Sequence, residues 1–188
     1  MSEKATTVVE SCKGATAKGQ IETDDPYSPE QARVHYFGGS KGTFELRTEG
    51  TFESPPLWLE AKYTFVLEID NFDVVDPRRE VDKLLDGTDL GVFRASRRTV
   101  RVTGKLQAKG AAQLNDVQIE YEGTSHGTQL PNGTATTDEH GVFEVKLFEG
   151  GQYTFTPQPP EHHEFVGEPV VIHSLEKGQS QLEFVLAR

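Results

Sequence analysis

The sequence has a single cysteine and no long apolar run. With only Cys12 present, an intramolecular disulfide and a cluster of thiolate metal ligands are both excluded. No segment approaches the ~20 apolar residues of a transmembrane helix, and residues 1–20 lack the apolar core of a signal peptide. We therefore expect no membrane insertion and, by default, residence in the cytoplasm. A virion or a secreted particle is the alternative setting.

Basic residues are scarce as well. The 19 lysines and arginines face 30 aspartates and glutamates, which gives a formal net charge of -11. A protein that binds nucleic acid needs a basic surface to displace counterions from the phosphates. The imbalance argues against a nucleic-acid partner and is compatible with a protein partner. It leaves the oligomeric state open.

Common catalytic motifs are also missing. The chain contains no nucleophile elbow, no phosphate-binding glycine loop and no His-Glu-x-x-His motif. We therefore predict no catalytic residues, no bound metal, no cofactor and no enzymatic activity.

The N-terminal half, up to residue 96, is rich in strand patterns. We interpret residues 1–18 as a flexible segment and residues 19–96 as a β-rich domain, with strands at 33–37, 43–52 and 57–70. Alternation places Tyr63, Phe65, Leu67 and Ile69 on one face of a central strand. A capping-box spacing after Ser28 predicts a short helical turn. This half resembles no family we can name, and it fits either a second β-sandwich or an α+β lid.

The segment "DPRREVDKLLDG" predicts one short helix near residues 77–86. Asp76 is suited to cap it, Pro77 fits its first turn and Gly87 ends it. The apolar residues Val81, Leu84 and Leu85 recur at helical spacing. At about 10 residues this helix needs a sheet to pack against.

The segment "FRASRRTVR" marks the junction of the two halves. We interpret its arginines as part of a solvated linker between domains. The alternative is an anion site formed by Arg94, Arg97 and Arg98.

From residue 97 to 188 the pattern predicts a separate domain. Turn signals recur every 8–12 residues, the spacing of a β-sandwich. Seven strands are predicted, at 99–107, 115–122, 133–137, 142–148, 152–157, 168–173 and 180–187. The fold class is therefore mainly β, with a seven-stranded Ig- or transthyretin-like sandwich at the C-terminal end. The Asn132-Gly133 pair predicts a hairpin turn.

The trio Asp138-Glu139-His140 has the composition of a catalytic cluster, but its surroundings predict a turn. Asp138 fits the first position of a type I turn, where its carboxylate accepts a backbone N–H. Gly141 fits the last position, where a positive φ favours glycine. We predict that these residues reverse the chain between two strands.

The C-terminal half resembles the carboxypeptidase regulatory-like domains, which belong with transthyretin-like, prealbumin-type and Cna-B-like sandwiches. The residues that match in order are Gly104, Leu114, Val117, Thr137, Asp138, Gly141, Phe143, Leu147, Gly151 and Tyr153. The resemblance implies an accessory, spacing or binding module.

Two chemical branches of this group do not fit. Some Cna-B-like domains link a first-strand lysine to a last-strand asparagine. Lys105 is available here, but "QLEFVLAR" has no asparagine. The ureide-hydrolysing relatives end in Tyr-Arg-Gly-Ser, whereas this chain has "FVLAR".

The loop histidines and one acidic series are the remaining candidates for ligand binding. Imidazoles suit zinc or copper, but adjacent histidines such as His162 and His163 point to opposite faces of an extended segment. We interpret these two, with His126 and His140, as exposed loop residues, and His162 and His163 also as candidate contact residues. The series Glu68, Asp70, Asp73 and Asp76 fits no calcium loop and reads as a solvated strand end.

Trp58 follows "SPP" and is a candidate interface anchor or sugar-stacking platform; the alternative places it at the edge of a core. Our main hypothesis is a non-enzymatic structural or protein–protein interaction protein, as a component of a larger assembly. The alternatives are a carbohydrate-binding or enzyme-accessory module, and a metal-dependent enzyme that uses the loop histidines.

Overall fold

The computed structural model describes residues 14–108, 114–158, 164–165, 169–176 and 181–187. These residues form strands and one 3-10 helix, Pro29–Gln31. The predicted mainly β fold class is confirmed. The chain divides into two compact units, Met1–Ser96 and Arg97–Arg188, each with its own hydrophobic core.

The first unit contains two four-stranded sheets. Their strand orders are β5-β2-β10-β8 and β4-β3-β7-β9, and β1 pairs separately with β6. The strands are β1 Gly14–Ala15, β2 Ala17–Glu22, β3 Ala32–Gly38, β4 Gly42–Glu45, β5 Thr51–Glu53, β6 Leu57–Trp58, β7 Tyr63–Ile69, β8 Phe72–Val75, β9 Arg78–Val81 and β10 Thr88–Arg97. The last residue of β10 is the first residue of the second unit.

The second unit also contains two four-stranded sheets. Their strand orders are β14-β11-β18-β16 and β13-β12-β15-β17. The strands are β11 Thr99–Ala108, β12 Gln118–Ser125, β13 Thr128–Thr136, β14 Val142–Phe148, β15 Gln152–Gln158, β16 Glu164–Phe165, β17 Val170–Ile172 and β18 Gln181–Ala187. All seven predicted strands are present, together with the short β16.

The two units have the same strand topology. Apart from the two-residue strands β1 and β6, the first strand of each unit pairs in parallel with the last, β2 with β10 and β11 with β18. The same first strand also pairs antiparallel on its other side, β2 with β5 and β11 with β14. The other sheet is built from equivalent strands as well, with β3 and β12 at corresponding positions. The N-terminal half is therefore a second sandwich and not an α+β lid.

Matching glycine–aromatic pairs lie at matching positions of the two units. Gly19 lies opposite Phe52 and Gly104 lies opposite Phe143. A Cβ on Gly19 would lie 2.3 Å from the Phe52 ring, and one on Gly104 would lie 2.0 Å from the Phe143 ring. Each aromatic ring thus covers the first strand of its own unit, and only glycine leaves room for it.

The predicted face of the central strand is confirmed. Tyr63, Phe65, Leu67 and Ile69 lie on β7 and are all buried. The short helical turn after Ser28 is also confirmed: the Ser28 N–H donates to Gln31 Oε1 at 2.8 Å.

The helix predicted near residues 77–86 is wrong. Residues 78–81 form β9, which extends the sheet at the edge of β7 and places Val81 opposite Tyr63. Pairing with β7 satisfies the backbone hydrogen-bonding groups of this segment. An isolated helix of about 10 residues would be unstable in water. Asp76 accordingly caps no helix, and its φ is 47°.

Three further expectations need correction. Residues 14–18, predicted to belong to a flexible segment, lie largely in β1 and β2, where Ala15 and Ala17 are buried. The strand predicted at 43–52 is interrupted, giving β4 and β5. The Asn132-Gly133 pair lies inside β13, and the hairpin turn is at His126 and Gly127.

Candidate interaction surface

The segment 138–141 is a turn, as predicted. The Asp138 carboxylate accepts the backbone N–H groups of Val142 at 2.8 Å and His140 at 2.9 Å, and the Gly141 N–H donates to the Asp138 carbonyl at 3.0 Å. The φ of Gly141 is 74°. The bond from Val142, and then that from His140, lowers the pKa of Asp138 below its usual value of 3.8. The carboxylate is thus engaged in holding the turn.

The loop histidines lie in separate surroundings where the structure describes them. His140 is exposed, with Nε2 at 3.6 Å from Glu139 Oε1. His126 occupies the β12–β13 turn with a φ of 47°. Within the described residues, no three histidine, cysteine or acidic side chains gather into a set that could hold a metal ion. His162 and His163 lie outside the described residues, so their contact role remains a prediction.

The acidic series at the end of β7 forms ion pairs. Arg33 bonds to Asp70 and lies 3.8 Å from Glu68. The Nε2 atom of His35 lies 3.1 Å from Glu68 Oε2. A calcium site needs carboxylates that converge on an ion, whereas two of the four carboxylates here are paired with a cation.

The junction arginines have separate partners. Arg94 bonds to Glu22 at 2.9 Å and Arg98 bonds to Glu149 at 2.6 Å. Arg97 is only 6% exposed, donates to Ser125 Oγ at 2.7 Å and lies 5.6 Å from the centre of the Phe148 ring. The solvated-linker interpretation is therefore wrong for Arg97, which packs into the second unit.

An open groove of about 1480 Å³ runs along β4, the following loop and β5 in the first unit. Charged residues of both signs line it, and some of them are already engaged: Lys18 lies 3.8 Å from Glu53, and Asp89 accepts the Gly91 N–H at 2.8 Å. The groove offers two short strand edges and no assembled set of acid, base and nucleophile.

The most exposed large apolar side chain of the described residues is Trp58. Trp58 is 66% exposed; Leu59, the next residue in the chain, is 44% exposed and Leu85 is 52% exposed. The Glu60 N–H donates to the Leu84 carbonyl at 2.8 Å, which brings the two leucine-bearing segments together. We call Trp58, Leu59 and Leu85 the Trp58 surface. Sequence reasoning found Trp58, but it assigned Leu85 to the packed stripe of a helix.

Comparison with known proteins identifies the fold and no family. No family model matches the chain, and no curated protein matches it. Among solved structures, the Bacillus anthracis TIE protein matches with a TM-score of 0.64 at 12% identity, over 94% of this chain and 34% of that one. The chain thus spans about a third of the TIE protein.

Two further solved structures match less closely. A C-terminal fragment of a Lactobacillus rhamnosus GG pilus adhesin gives a TM-score of 0.49 at 10% identity, over 92% of this chain and 96% of that one. The minor pilin of Streptococcus agalactiae gives 0.41 at 10% identity, over 93% and 96%. At 12% identity the match to the TIE protein supports the β-sandwich fold alone, and the two matches with TM-scores below 0.5 add nothing to it.

The expectation of residence in the cytoplasm is wrong. The matching structures are repeatedly pilins and a pilus adhesin, which are surface-assembled extracellular proteins. Among the described residues, no helix has the length and apolar character to cross a membrane.

Proposed function

We propose that this protein is a non-enzymatic structural or interaction protein, built on two β-sandwich units and working as a component of a larger assembly. It contacts a protein partner through the Trp58 surface. The 66% exposure of Trp58 is the observation that carries the proposal, and the exposed Leu59 and Leu85 lie on the two segments joined by the bond from Glu60 to Leu84. Exposed aromatic side chains with apolar neighbours are typical anchors of protein interfaces.

The polar groups of the described residues support the absence of catalysis. The Asp138 carboxylate holds a turn, Arg33 forms ion pairs with Glu68 and Asp70, and Arg97 is buried against Phe148. Each group has a structural partner that accounts for its position. With the acidic net charge, this arrangement fits a protein partner and neither nucleic acid nor membrane insertion.

We also propose that the second unit belongs with the carboxypeptidase regulatory-like, transthyretin-like sandwiches. Several matching residues have structural roles there: Gly104 admits the Phe143 ring, Asp138 and Gly141 form the turn, and the Tyr153 hydroxyl accepts the Phe148 N–H at 2.9 Å. Lys105 lies at an exposed position of β11, away from the core where a cross-link between strands would be enclosed.

Photo-cross-linking in native lysate tests the interaction role. A benzophenone amino acid replaces Trp58 in one variant and Phe37, which is 51% exposed, in the control. We expect discrete protein adducts from position 58 and only background from position 37. Equal background from both positions, together with turnover of a substrate by the purified protein, would contradict the proposal.

The second candidate function is binding of a carbohydrate, because an exposed indole also stacks on sugar rings. A glycan array with the unmodified protein and with Trp58→Ala tests it. Binding that Trp58→Ala abolishes would support this function, and an array without signal would remove it.

A further inference from the structure

One sheet of the first unit has unpaired backbone groups along the β4 edge. In the sheet of order β4-β3-β7-β9, β4 lies at one edge and β9 at the other. The Leu46 N–H donates to the Ala32 carbonyl at 3.2 Å. Bonds to β3 alternate along β4 from this point, so Thr43 and Glu45 direct their backbone groups away from β3. In the described part of the chain, these groups have no hydrogen-bond partner.

The β9 edge is open in the same way. The Leu67 N–H donates to the Pro77 carbonyl at 2.9 Å. The same alternation then directs the backbone groups of Arg78 and Glu80 away from β7. The Arg78 carbonyl accepts Nη1 of Arg79 at 3.0 Å and retains a second lone pair. Each edge therefore offers two residues to a further strand.

The two edges match in direction and in face. Neighbouring strands of this sheet are all antiparallel, so β4 and β9 run in opposite directions. A second copy of the unit displaced sideways in the plane of the sheet therefore brings its β9 antiparallel to β4. One row of cross-strand neighbours consists of Thr43, His35, Val66 and Arg78. Thr43 and Arg78 thus share one face of the sheet, and that face continues into the second copy.

The charges on the two edges are complementary in one register. With β4 antiparallel to β9 of a second copy, this register aligns the following residues of β4 and β9 and directly beside them: Lys41 with Asp82, Thr43 with Glu80, and Glu45 with Arg78. It contains two pairs of opposite charge and none of like charge. A shift of two residues in either direction places Glu45 opposite Asp76 or Glu80. Since like charges across strands are destabilising, the charge pattern selects the first register.

The side chains of these pairs are accessible. Lys41, Thr43 and Glu45 are exposed, and the β4 edge borders the open groove of about 1480 Å³. Glu45 forms no ion pair with another residue of the described part. On the other edge the side chains of Arg78 and Asp82 are 63% and 90% exposed. Their present ion pairs lie at the surface, where such pairs contribute little and can be exchanged at small cost.

We infer that the first unit binds a second copy of this chain edge to edge, with β4 of one copy paired antiparallel to β9 of the next. The facing residues exchange backbone N–H···O=C bonds, and the four-stranded sheet continues across the contact. The two edges differ, so the contact does not close as a two-fold dimer but repeats from copy to copy. The inference goes beyond the proposed function, because it uses the edges of one sheet and not the Trp58 surface.

Charge reversal with mixing is the sharpest test. Glu45→Arg places like charges opposite each other in every contact between its own copies, and so does Arg78→Glu. Each variant alone should associate about fivefold more weakly in sedimentation velocity, which corresponds to about 1 kcal/mol. An equimolar mixture of the two variants has opposite charges in every mixed contact, so it should associate as the unmodified protein does. A chain with both substitutions should do the same.

Two further variants are the matched controls for charge. Glu53→Arg on β5 and Arg101→Glu on β11 make the same charge changes at exposed positions outside the proposed contact. Both should associate as the unmodified protein does. Thermal unfolding of every variant checks that the fold is retained.

Thr43→Pro tests the backbone pairing itself. The Thr43 N–H points away from β3, so proline removes a donor from the open edge and none from the existing sheet. We expect association to be lost while the far-ultraviolet circular dichroism of the β fold is kept. Thr43→Ala retains the N–H and should associate as the unmodified protein does.

Three results would overturn the inference. They are a purified protein that stays monomeric at all attainable concentrations, a loss of association in the charge variants that mixing does not relieve, and association that neither charge reversal nor Thr43→Pro changes. If the purified protein is monomeric while position 58 still cross-links to another protein in lysate, the inference fails and the proposed function stands. Association that only Trp58→Ala abolishes would assign the contact to the Trp58 surface and likewise overturn the inference.

Discussion

At Gly104 the space that a side chain would fill is occupied by the ring of Phe143, and Gly19 has the same relation to Phe52. The φ of Gly104 is not positive, so a substitution there acts through steric overlap alone. These two pairs explain why a glycine stands in the middle of the first strand of each unit, where it otherwise weakens a strand.

We predict that Gly104→Ala destabilises the second unit by about 1–3 kcal/mol, the usual cost of overfilling a packed site. Urea denaturation, monitored through amide exchange in β11 and β14, measures the loss in free energy of unfolding. In combination with Phe143→Leu, the further cost of Gly104→Ala should fall, because the ring that it strikes is gone. Additive effects of the two substitutions would contradict the packing account.

Asp138 makes stability depend on pH. Its pKa is lowered in the folded protein by the N–H groups of Val142 and His140, so the carboxylate stabilises the fold at pH values above its usual pKa of 3.8. That contribution is lost as the pH falls through the folded pKa.

We predict that Asp138→Asn lowers the urea midpoint at pH 7 and that the difference from the unmodified protein shrinks below about pH 4. Urea titrations at a series of pH values provide the comparison, with Glu139→Gln as the neighbouring control. A difference between Asp138→Asn and the unmodified protein that is constant from pH 7 to pH 3 would show that the charge has no such role.

Residue-level sequence reasoning succeeded where the chemistry is local. The bonds of Asp138 and the positive φ of Gly141 involve neighbours within four residues. Along residues 63–69, the apolar residues that alternate in the sequence are the ones that are buried. The Trp58 surface was found only in part. The segment that carries Leu85 is joined to the segment after Trp58 by a backbone bond between Glu60 and Leu84, which no local pattern encodes.

At the scale of elements, β9 shows how tertiary pairing overrides a helical pattern. Val81, Leu84 and Leu85 recur at helical spacing, yet Val81 lies opposite Tyr63 and Leu84 is buried where the chain turns back. Edge positions of a sandwich need only short strands, and a four-residue strand leaves too little alternation to be recognised.

Arg79 on β9 also binds β10, a strand of the other sheet. Its guanidinium donates to the carbonyls of Leu90 at 3.2 Å and Val92 at 3.1 Å, and it lies 4.5 Å from the Phe93 ring centre. We predict that Arg79→Lys destabilises the first unit by about 1–2 kcal/mol, because an ammonium cannot serve both carbonyls from one plane. Thermal unfolding followed by Trp58 fluorescence measures it. Arg78→Lys, at an exposed neighbour, should change little; equal losses would contradict the role of Arg79.

The hairpin between β12 and β13 shows a second limit of local signals. Asn132-Gly133 is a strong turn pair, but it lies in β13, whose pairing with β12 shifts register between Tyr121 and Gly123 of β12. Gly133 faces Tyr121, and a Cβ there would lie 2.5 Å from the Tyr121 hydroxyl. The glycine is thus needed for packing beside a bulge, while His126 and Gly127 make the turn.

For the whole molecule, the repetition of one topology was not visible in the sequence. The C-terminal unit has enough residues that match a family pattern in the same order to show a resemblance. The first unit shares with the second mainly a Gly-x-Phe motif, at residues 50–52 and 141–143, and the tyrosines of β7 and β15. A sandwich core tolerates many apolar combinations, so topology can persist after the sequence pattern has been lost.

Because the two cores share no residue, a core defect in one unit should leave the other folded. We predict that Phe65→Ala costs the first unit about 3–5 kcal/mol. Hydrogen exchange should show lost protection in β3 and β7 with unchanged protection in β12 and β15. Loss of protection in both units would show that they fold as one.

The central claim is that the N-terminal half repeats the sandwich topology of the C-terminal half, and interstrand nuclear Overhauser effects test it most directly. The account predicts backbone contacts between Ile21 and Phe93 and between Leu106 and Phe184, the parallel pairs of first and last strands. It also predicts contacts between Tyr63 and Val81. Helical contacts across residues 78–86, with no contact between Ile21 and Phe93, would contradict it.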